Sequence, residues 1–179
     1  MVDGMTDIAS GDKSECKVLP YKDLKCPSGQ QRHHIVPDYA LRSASRKAGT
    51  RVPGMDNMPL SNGPCICLKG HARSSFSDHG KAHQGQDPKI FAAGQGGKFG
   101  PSFPDGTAPL SEVLKISKEE VGAVKEHCKE EINKAVDDAF GGDPPKFNPN
   151  TPCRTTQEIP TGDALTKLSK TVESTLNLR

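Results

Sequence analysis

The chain has 179 residues, of which 32% are hydrophobic and 4% aromatic, and its mean hydropathy is −0.64. This length suits one domain, or one domain with an appendage, and so lean a composition predicts a small, loop-rich core that a metal or disulfides would support. No apolar run approaches the roughly 18–20 residues that span a membrane. The first residues also lack the basic and apolar segments of a signal peptide, which argues against the general export route.

Charged residues are divided unevenly between the two parts of the chain. Residues 1–100 contain 14 Lys and Arg against 9 Asp and Glu, whereas residues 101–179 contain 10 against 13. The basic excess favours a polyanionic partner for the first part, although many proteins without such a partner show as much. The acidic excess in the second part is typical of a solvated helical surface.

The first part is predicted to be rich in loops, with short regular elements. Residues 1–31 have the punctuation of irregular chain, and His33–Pro37 ends a short strand. Residues 37–49, PDYALRSASRKAG, suit a helix that begins near Asp38 and stops at the following glycine. The segment PCICL, residues 64–68, alternates cysteines with Ile and Leu and predicts a buried strand.

The second part is predicted to be mainly helical. A short helix begins at Asp78, which serves as its N-cap, and residues 85–109 have the Gly and Pro content of a loop. A long amphipathic helix is predicted to begin at Ser117, with Glu120 as its capping-box partner, and to stop at Gly141 and Gly142. A last helix is predicted over residues 163–178.

The six cysteines permit disulfides and equally permit free thiols. They are Cys16, Cys26, Cys65, Cys67, Cys128 and Cys153. No C-x-x-C spacing occurs, so a four-cysteine zinc site is not predicted. Among disulfides, a Cys16–Cys26 pair closing a short loop is the first to consider.

Five of the six histidines lie inside 51 residues, at positions 33, 34, 71, 79 and 83. His79 and His83 are four residues apart, so on a helix both imidazoles share one face and can reach one ion. Alone, this spacing is more typical of surface residues than of ligands. With the adjacent His33 and His34 on an upstream strand, however, three or four imidazoles would converge. The sixth, His127, lies in a charged helix and is predicted to face solvent.

Three segments, RHHIVP, PCICLKGH and DHGKAH, resemble in order and spacing the HNH/endonuclease VII superfamily of toxin nucleases. The resemblance covers residues 30–84 and implies the ββα-metal (His-Me finger) fold. The expected class is therefore α+β, a ββα-metal core with loop-rich surroundings and a helical C-terminal extension. The corresponding division is an irregular segment over residues 1–29, a nuclease core over 30–109 and the extension over 110–179. Asp78 departs from the threonine that is commoner in the superfamily, and the acidic tail is no part of its pattern.

The resemblance gives a role to each residue that matches the superfamily pattern. His33, His79 and His83 match metal ligands, and His34 matches the general base. Pro37 matches the proline that shapes the turn after the first strand. A neutral imidazole can accept a proton from water near neutral pH, which suits the role of His34.

Other matching or neighbouring residues have supporting roles. Asn62, or alternatively Asn57, matches the asparagine that steadies the loop between the strands. His71 matches a further histidine that either binds the metal or contacts phosphate. Arg32 and Arg73 flank the histidines most closely and are the predicted phosphate contacts. Further basic residues near the histidines are Arg42, Arg46, Lys47, Arg51, Lys69 and Lys81.

The implied cofactor is one divalent metal ion, Zn²⁺, Ni²⁺, Mn²⁺ or Mg²⁺, of which imidazole ligands suit the first two better. Three protein ligands leave coordination positions open, as a catalytic site requires. The implied activity is that of an endonuclease that hydrolyses DNA. Because aromatic residues are few, little stacking on bases and little sequence specificity are expected.

Domains of this superfamily usually form the toxic end of bacterial effectors. The resemblance therefore implies a secreted antibacterial toxin that a specialised secretion system delivers to the cytoplasm of a target cell. It also implies an acidic immunity protein in the producing cell.

Two alternatives stay open. One is an RNase of the same fold. The other is a non-catalytic zinc-binding interaction module, in which Cys65 or Cys67 completes a closed site. A closed site has no use for His34, a histidine beside a ligand that does not itself bind metal.

Overall fold

The computed structural model describes residues 13–157, and this part of the chain is α+β, with three α-helices and two small antiparallel sheets. The strands are β1 (Leu19–Pro20), β2 (Gln30–His34), β3 (Pro64–Lys69), β4 (Thr107–Pro109) and β5 (Pro152–Arg154). The helices are α1 (Asp78–Ala93), α2 (Leu110–Val124) and α3 (Lys129–Phe140). The helix predicted over residues 163–178 lies outside the described residues. Among the helices described, none is long and apolar enough to cross a membrane.

The first sheet carries the order β1–β3–β2, with both pairs antiparallel. The strand predicted over residues 64–68 is confirmed as β3, the central strand, which is buried along this whole length because a hydrophobic cluster packs on each of its faces. In the pairing of β2 with β3, His33 is opposite Ile66 and His34 is opposite Cys65. Neighbouring residues of a strand point to opposite faces of the sheet, so the two histidines are directed to different sides.

The helices cover one face of this sheet. Helix α1 packs on β3 and α2, and α3 packs on α2 and β3. Ile66 and Leu68 of the sheet join apolar side chains of all three helices, such as Ile90 and Ile132, in one buried cluster. Burial of this cluster fixes α1 against the sheet, and α1 carries the two histidines of the H-x-x-x-H pattern.

Helix α1 is longer than the sequence predicts and begins one residue earlier. Ser77, not Asp78, is the N-cap, because its Oγ accepts the N–H of Gly80 at 3.1 Å. The helix runs to Ala93, so the loop predicted over residues 85–109 is wrong in its first part. Tertiary burial of Ile90 against the core outweighs the local Gly and Pro content.

The helix predicted over residues 37–49 is also wrong. Only one 3₁₀ turn forms, Asp38–Leu41, and Arg42 is extended with φ −117° and ψ 138°. The carboxylate of Asp38 does not cap a helix but forms ion pairs with Arg42 and Arg51, each at 2.7 Å. These ion pairs hold the chain in a loop whose ends meet at a β-bridge between the same two arginines.

The long helix predicted from Ser117 is two helices with an earlier start. Helix α2 begins at Leu110, directly after β4, and ends before Lys125, whose φ of −124° and ψ of 63° break the helical path. A 3₁₀ turn, Glu126–Cys128, joins it to α3. Ser117 caps nothing, because it is buried in the middle of α2, where its Oγ accepts a hydrogen bond from Gln86.

Two disulfides tie the described chain, Cys16–Cys128 and Cys26–Cys67. The predicted Cys16–Cys26 pair is therefore wrong. Cys16 lies instead beside the turn between α2 and α3, and Cys26 lies beside the outer face of β3, so both bonds join segments distant in sequence. Cys65 and Cys153 are buried free thiols, and burial raises the pKa of Cys65 to about 12, which leaves it unreactive.

Candidate metal centre

Strand β2 separates the adjacent histidines by pointing one inward and one outward. His33 is 2% exposed and faces α1, whereas His34 is half-buried on the opposite face. On α1, His79 and His83 are one turn apart and face β2. The fold thus brings together three predicted ligands, one from the strand and two from the helix.

The three imidazoles form a compact cluster. Ligand nitrogens of His33, His79 and His83 all lie within 4.8 Å of one another. The ring centroid of His33 is 5.1 Å from that of His79 and 4.9 Å from that of His83, with the rings nearly perpendicular. Metal–nitrogen bonds of roughly 2.0–2.1 Å hold two ligand nitrogens at most about 4.2 Å apart, so small rotations of the side chains would bring these three nitrogens onto one ion.

The cluster lacks the hydrogen bonds that buried polar groups normally make. Both ring nitrogens of His33 and Nδ1 of His79 are buried without a hydrogen-bond partner in the described chain. Leaving such groups unpaired costs roughly 1–3 kcal/mol each. A metal ion would supply a partner for one nitrogen of each ring, and the donor set of three imidazoles fits Zn²⁺ or Ni²⁺ best.

Two rings of the cluster, those of His33 and His79, have lowered pKa values and are neutral at neutral pH. Burial first, and then the charges of His83 and His79, lower the pKa of His33 well below 6.5. Burial and His83 lower the pKa of His79 to about 4. Because a metal binds the neutral imidazole, these shifts leave the nitrogen lone pairs free at neutral pH.

An acidic residue that the sequence analysis missed orients the third ligand. Nδ1 of His83 lies 3.1 Å from a carboxylate oxygen of Asp87, whose other oxygen accepts the hydroxyl of Tyr39 at 3.1 Å. The carboxylate holds the proton on Nδ1 and leaves Nε2 of His83 as the ligand atom. Asp87 is four residues after His83, so the same helical spacing that indicated the ligands could have indicated it.

A second missed residue, Gln86, supports the strand ligand. Its side chain is fully buried, and its Nε2 donates to the carbonyl of Ile35 at 2.6 Å and to Ser117 at 2.9 Å. Its Oε1 has no hydrogen-bond partner in the described chain, and the amide lies against His33, where it opposes the lowering of that pKa. Nothing in the local sequence indicates this role, because the three contacts come from distant segments.

His34 stands apart from the cluster and has partners of its own. Its Nε2 lies 3.1 Å from the carbonyl of Leu60, and since a carbonyl only accepts, Nε2 carries the proton and Nδ1 carries the lone pair. The ring stacks on Tyr21 at 4.8 Å between centroids. A Cβ on Gly63 would lie 2.9 Å from the His34 ring, so only glycine leaves room for it there. Burial lowers the pKa of His34 despite the Leu60 carbonyl, which raises it.

His71 takes no part in the cluster or in the surroundings of His34. This residue is exposed in the loop before α1, and its Nδ1 accepts a hydrogen bond from Gln31 at 2.8 Å. It is outside the group of close ligand atoms.

Asn62 lies in a 3₁₀ turn, Leu60–Asn62, which also contains Leu60, the residue whose carbonyl accepts the His34 hydrogen bond. The Oδ1 of Asn62 is 3.5 Å from the Ser61 hydroxyl. The alternative, Asn57, is exposed.

A cavity of about 390 Å³ opens in front of the histidines. Of the predicted phosphate contacts, Arg32 lines it, whereas Arg73 is exposed elsewhere in the loop before α1 and does not line it. Arg46, one of the further basic residues that the sequence places near the histidines, also lines the cavity and has no acidic partner among residues 13–157. Its charge lowers the pKa of the nearby His34. A further arginine at the rim, Arg42, forms an ion pair with Asp38, whose single negative charge it shares with Arg51.

Neither cysteine proposed for a closed zinc site joins this cluster. Cys67 is bonded to Cys26, and Cys65 is a protonated, buried thiol that pairs with His34 across the sheet. A second group of ligand-type residues, Cys16, His127 and Cys128, is also close together, but its two cysteines form a disulfide. As predicted, His127 is exposed.

Comparison of the chain with models of protein families, with curated proteins and with solved structures found no match. The geometry of the histidines and the resemblance of the three segments are therefore the two indications of function in this chain.

Proposed function

We propose that this chain is a metal-dependent endonuclease that hydrolyses phosphodiester bonds of DNA with little sequence specificity. The observation that carries the proposal is the cluster of His33, His79 and His83, which is buried and short of hydrogen-bond partners, beside a separately held imidazole, His34. Under this proposal the order β2, β3, α1 is a ββα-metal core. The order of these elements and the three resembling segments support the same reading.

In the proposed reaction His34 acts as the general base. The Leu60 carbonyl fixes its protonated nitrogen, the Tyr21 ring fixes its plane, and Nδ1 remains free to accept a proton from water. Its lowered pKa means that the ring is already neutral at neutral pH. His34 can therefore act as the base without being a ligand of the ion.

His33, His79 and His83 would hold the divalent ion, with Asp87 and Gln86 orienting two of them. When bound, the ion supplies a positive charge for the phosphate oxygens and the leaving 3′-oxygen. The guanidinium groups of Arg46 and Arg32 line the same cavity and would bind the phosphate groups beside the cleaved bond.

The wider biological role is proposed from the resemblance. The chain would be the toxin domain of a secreted antibacterial effector that acts in the target-cell cytoplasm. The producing cell would contain an acidic immunity protein that blocks the cavity, since an acidic surface complements the arginines at its rim.

The test is cleavage of supercoiled plasmid by the purified chain and by His34→Ala, with Zn²⁺, Ni²⁺, Mn²⁺ or Mg²⁺ and a chelator control. Nicking that needs metal and falls by roughly 10²–10⁴-fold in His34→Ala is expected, since this is the usual contribution of a general base. The variant must still bind metal with the affinity of the unsubstituted chain.

Other outcomes separate the alternatives. An intact plasmid under every ion, together with cleavage of RNA, would make the chain an RNase of the same fold. Binding of metal without cleavage of either nucleic acid would identify a non-catalytic module. An equal loss of metal binding and cleavage in His34→Ala would mean that His34 is a ligand and not the base.

A further inference from the structure

Two more cavities adjoin the one in front of the histidines. The first, of about 560 Å³, shares Tyr21 and Arg32 with it. The second, of about 360 Å³, shares Lys25 and Gln30 with the first. The three cavities therefore follow one another along the outer face of β2. We call the two outer cavities together the β2 groove, lined by Lys17, Lys25, Gln30, Gln31 and Arg32 among others.

The charge of the β2 groove is positive. Lys17, Lys25 and Arg32 line it, and all three are exposed. One acidic residue, Glu15, appears in its lining, at the far end. The carboxylate of Glu15 is 3.4 Å from Nζ of Lys125 and is thereby compensated. The groove thus offers cations and polar amides to an anionic ligand.

The groove is built from fixed elements. The disulfide Cys26–Cys67 fastens the segment that contains Lys25 to β3, and the N–H of Tyr21 donates to the carbonyl of Gly63 at 3.0 Å. The guanidinium of Arg32 lies 3.9 Å from the centre of the Tyr21 ring and donates to the Tyr21 carbonyl at 2.8 Å. That bond uses one of the five N–H donors of the arginine. Such preorganisation reduces the cost of binding an extended ligand.

We propose that the β2 groove binds the polynucleotide strand on one side of the cleaved bond, through the phosphates of its backbone. This inference rests on the proposed nuclease function and adds the path of the substrate to it. The groove is continuous with the histidine cavity, which gives the direction of the strand, and Lys17, Lys25 and Arg32 supply the phosphate contacts. Backbone contacts of this kind read no sequence.

The experiment compares two substrates that differ in length. Bis(p-nitrophenyl) phosphate ends at the cleaved phosphate and cannot enter the groove, whereas a single-stranded DNA oligonucleotide can. In Lys25→Glu, the ratio of kcat/KM for the oligonucleotide to that for the small diester should fall by about tenfold, through KM, because a phosphate contact becomes a repulsion. Lys25→Arg should keep the ratio of the unsubstituted chain. The matched control is Lys115→Glu, an exposed residue of α2, a helix that lines none of the three cavities.

Binding is measured in parallel, without metal, by the fluorescence anisotropy of a labelled oligonucleotide. The Kd should rise by about tenfold in Lys25→Glu and stay the same in Lys115→Glu. If Lys25→Glu and Lys115→Glu have the same ratio of kcat/KM values and the same Kd, the β2 groove does not bind the strand. If the unsubstituted chain hydrolyses neither substrate, the proposed function is wrong. The anisotropy data alone would then show whether the β2 groove binds the oligonucleotide.

Discussion

Two groups of ligand-type side chains lie close together in the described part of the chain, and their surroundings differ. In one group, Cys16 and Cys128 are bonded to each other, and the exposed His127 lies 3.7 Å from a carboxylate oxygen of Glu15. In the other group, the imidazoles of His33 and His79 are buried and keep nitrogens without partners. Proximity alone therefore does not make a metal site. A site also needs donor atoms that the protein has left without other bonds.

The largest expected effect concerns the cysteine group. In Cys16→Ala/Cys128→Ala the free energy of unfolding should fall by about 4–5 kcal/mol, because this bond closes a loop of more than a hundred residues in the unfolded chain. Urea denaturation measures this. The affinity of the folded variant for Zn²⁺ should not change. A loss of affinity for Zn²⁺ without a loss of stability would mean that the cysteine group, and not the histidine group, binds the metal.

The next effect concerns the histidine group. His33→Leu should lower the affinity for Zn²⁺ by more than about 100-fold, the upper end of what the loss of an outer partner costs. Stability without metal should not fall, because leucine removes two buried, unpaired nitrogens. Isothermal titration measures the affinity for Zn²⁺, and urea denaturation measures the free energy of unfolding. The control is His127→Leu, which should leave the affinity unchanged; a similar loss there would contradict the comparison.

A smaller effect is expected when the support of one ligand is changed. Asp87→Asn keeps the size of the side chain and an oxygen for Tyr39, but it presents an N–H to Nδ1 of His83. The proton of the imidazole then moves to Nε2, the ligand atom, and metal affinity should fall by about 10–100-fold. Asp105→Asn, on a loop away from the cluster, is the control. Equal affinities in the two variants would rule out the carboxylate as the orienting group.

The smallest effect is a pH dependence of the metal-free protein. Because the pKa of His79 is about 4 in the folded chain and 6.5 is its ordinary value, protons bind the unfolded chain first as the pH falls. The stability from this residue is complete above pH 6.5 and is lost towards pH 4. We expect a loss of about 1–2 kcal/mol, reduced by solvent screening from about 1.4 kcal/mol for each pKa unit.

The measurement is the urea midpoint between pH 7 and pH 4 for the unsubstituted chain and for His79→Asn. Asparagine does not titrate, so the midpoint of the variant should fall less steeply across this range. Identical slopes would show that His79 is as easily protonated in the folded chain as in the unfolded one.

Part of this site could be predicted from the sequence because its information is local. The spacing of His79 and His83 follows from the helical repeat, and the opposite directions of His33 and His34 follow from the strand repeat. The buried strand PCICL was predicted for the same reason, since its alternation lies within five residues.

The rest depends on contacts between distant segments. Six cysteines allow fifteen fully paired connectivities, and nothing in their spacing selects Cys16–Cys128. The side chain of Gln86 is placed by Ile35 and Ser117, which are 51 and 31 residues away. The break at Lys125 divides a pattern that is amphipathic on both sides of it, so the pattern predicts one helix where there are two.

The Cys16–Cys128 bond closes the chain into a covalent ring that contains β2, β3 and α1. A single cut by a protease anywhere in that ring opens it without releasing a fragment. All the histidines of the cluster then remain in one molecule, still linked through sulfur. Nicked protein would migrate as one band in electrophoresis without a reductant and as two bands with it. An intact backbone and the covalent connection of the cluster's histidines are therefore separate properties of this molecule.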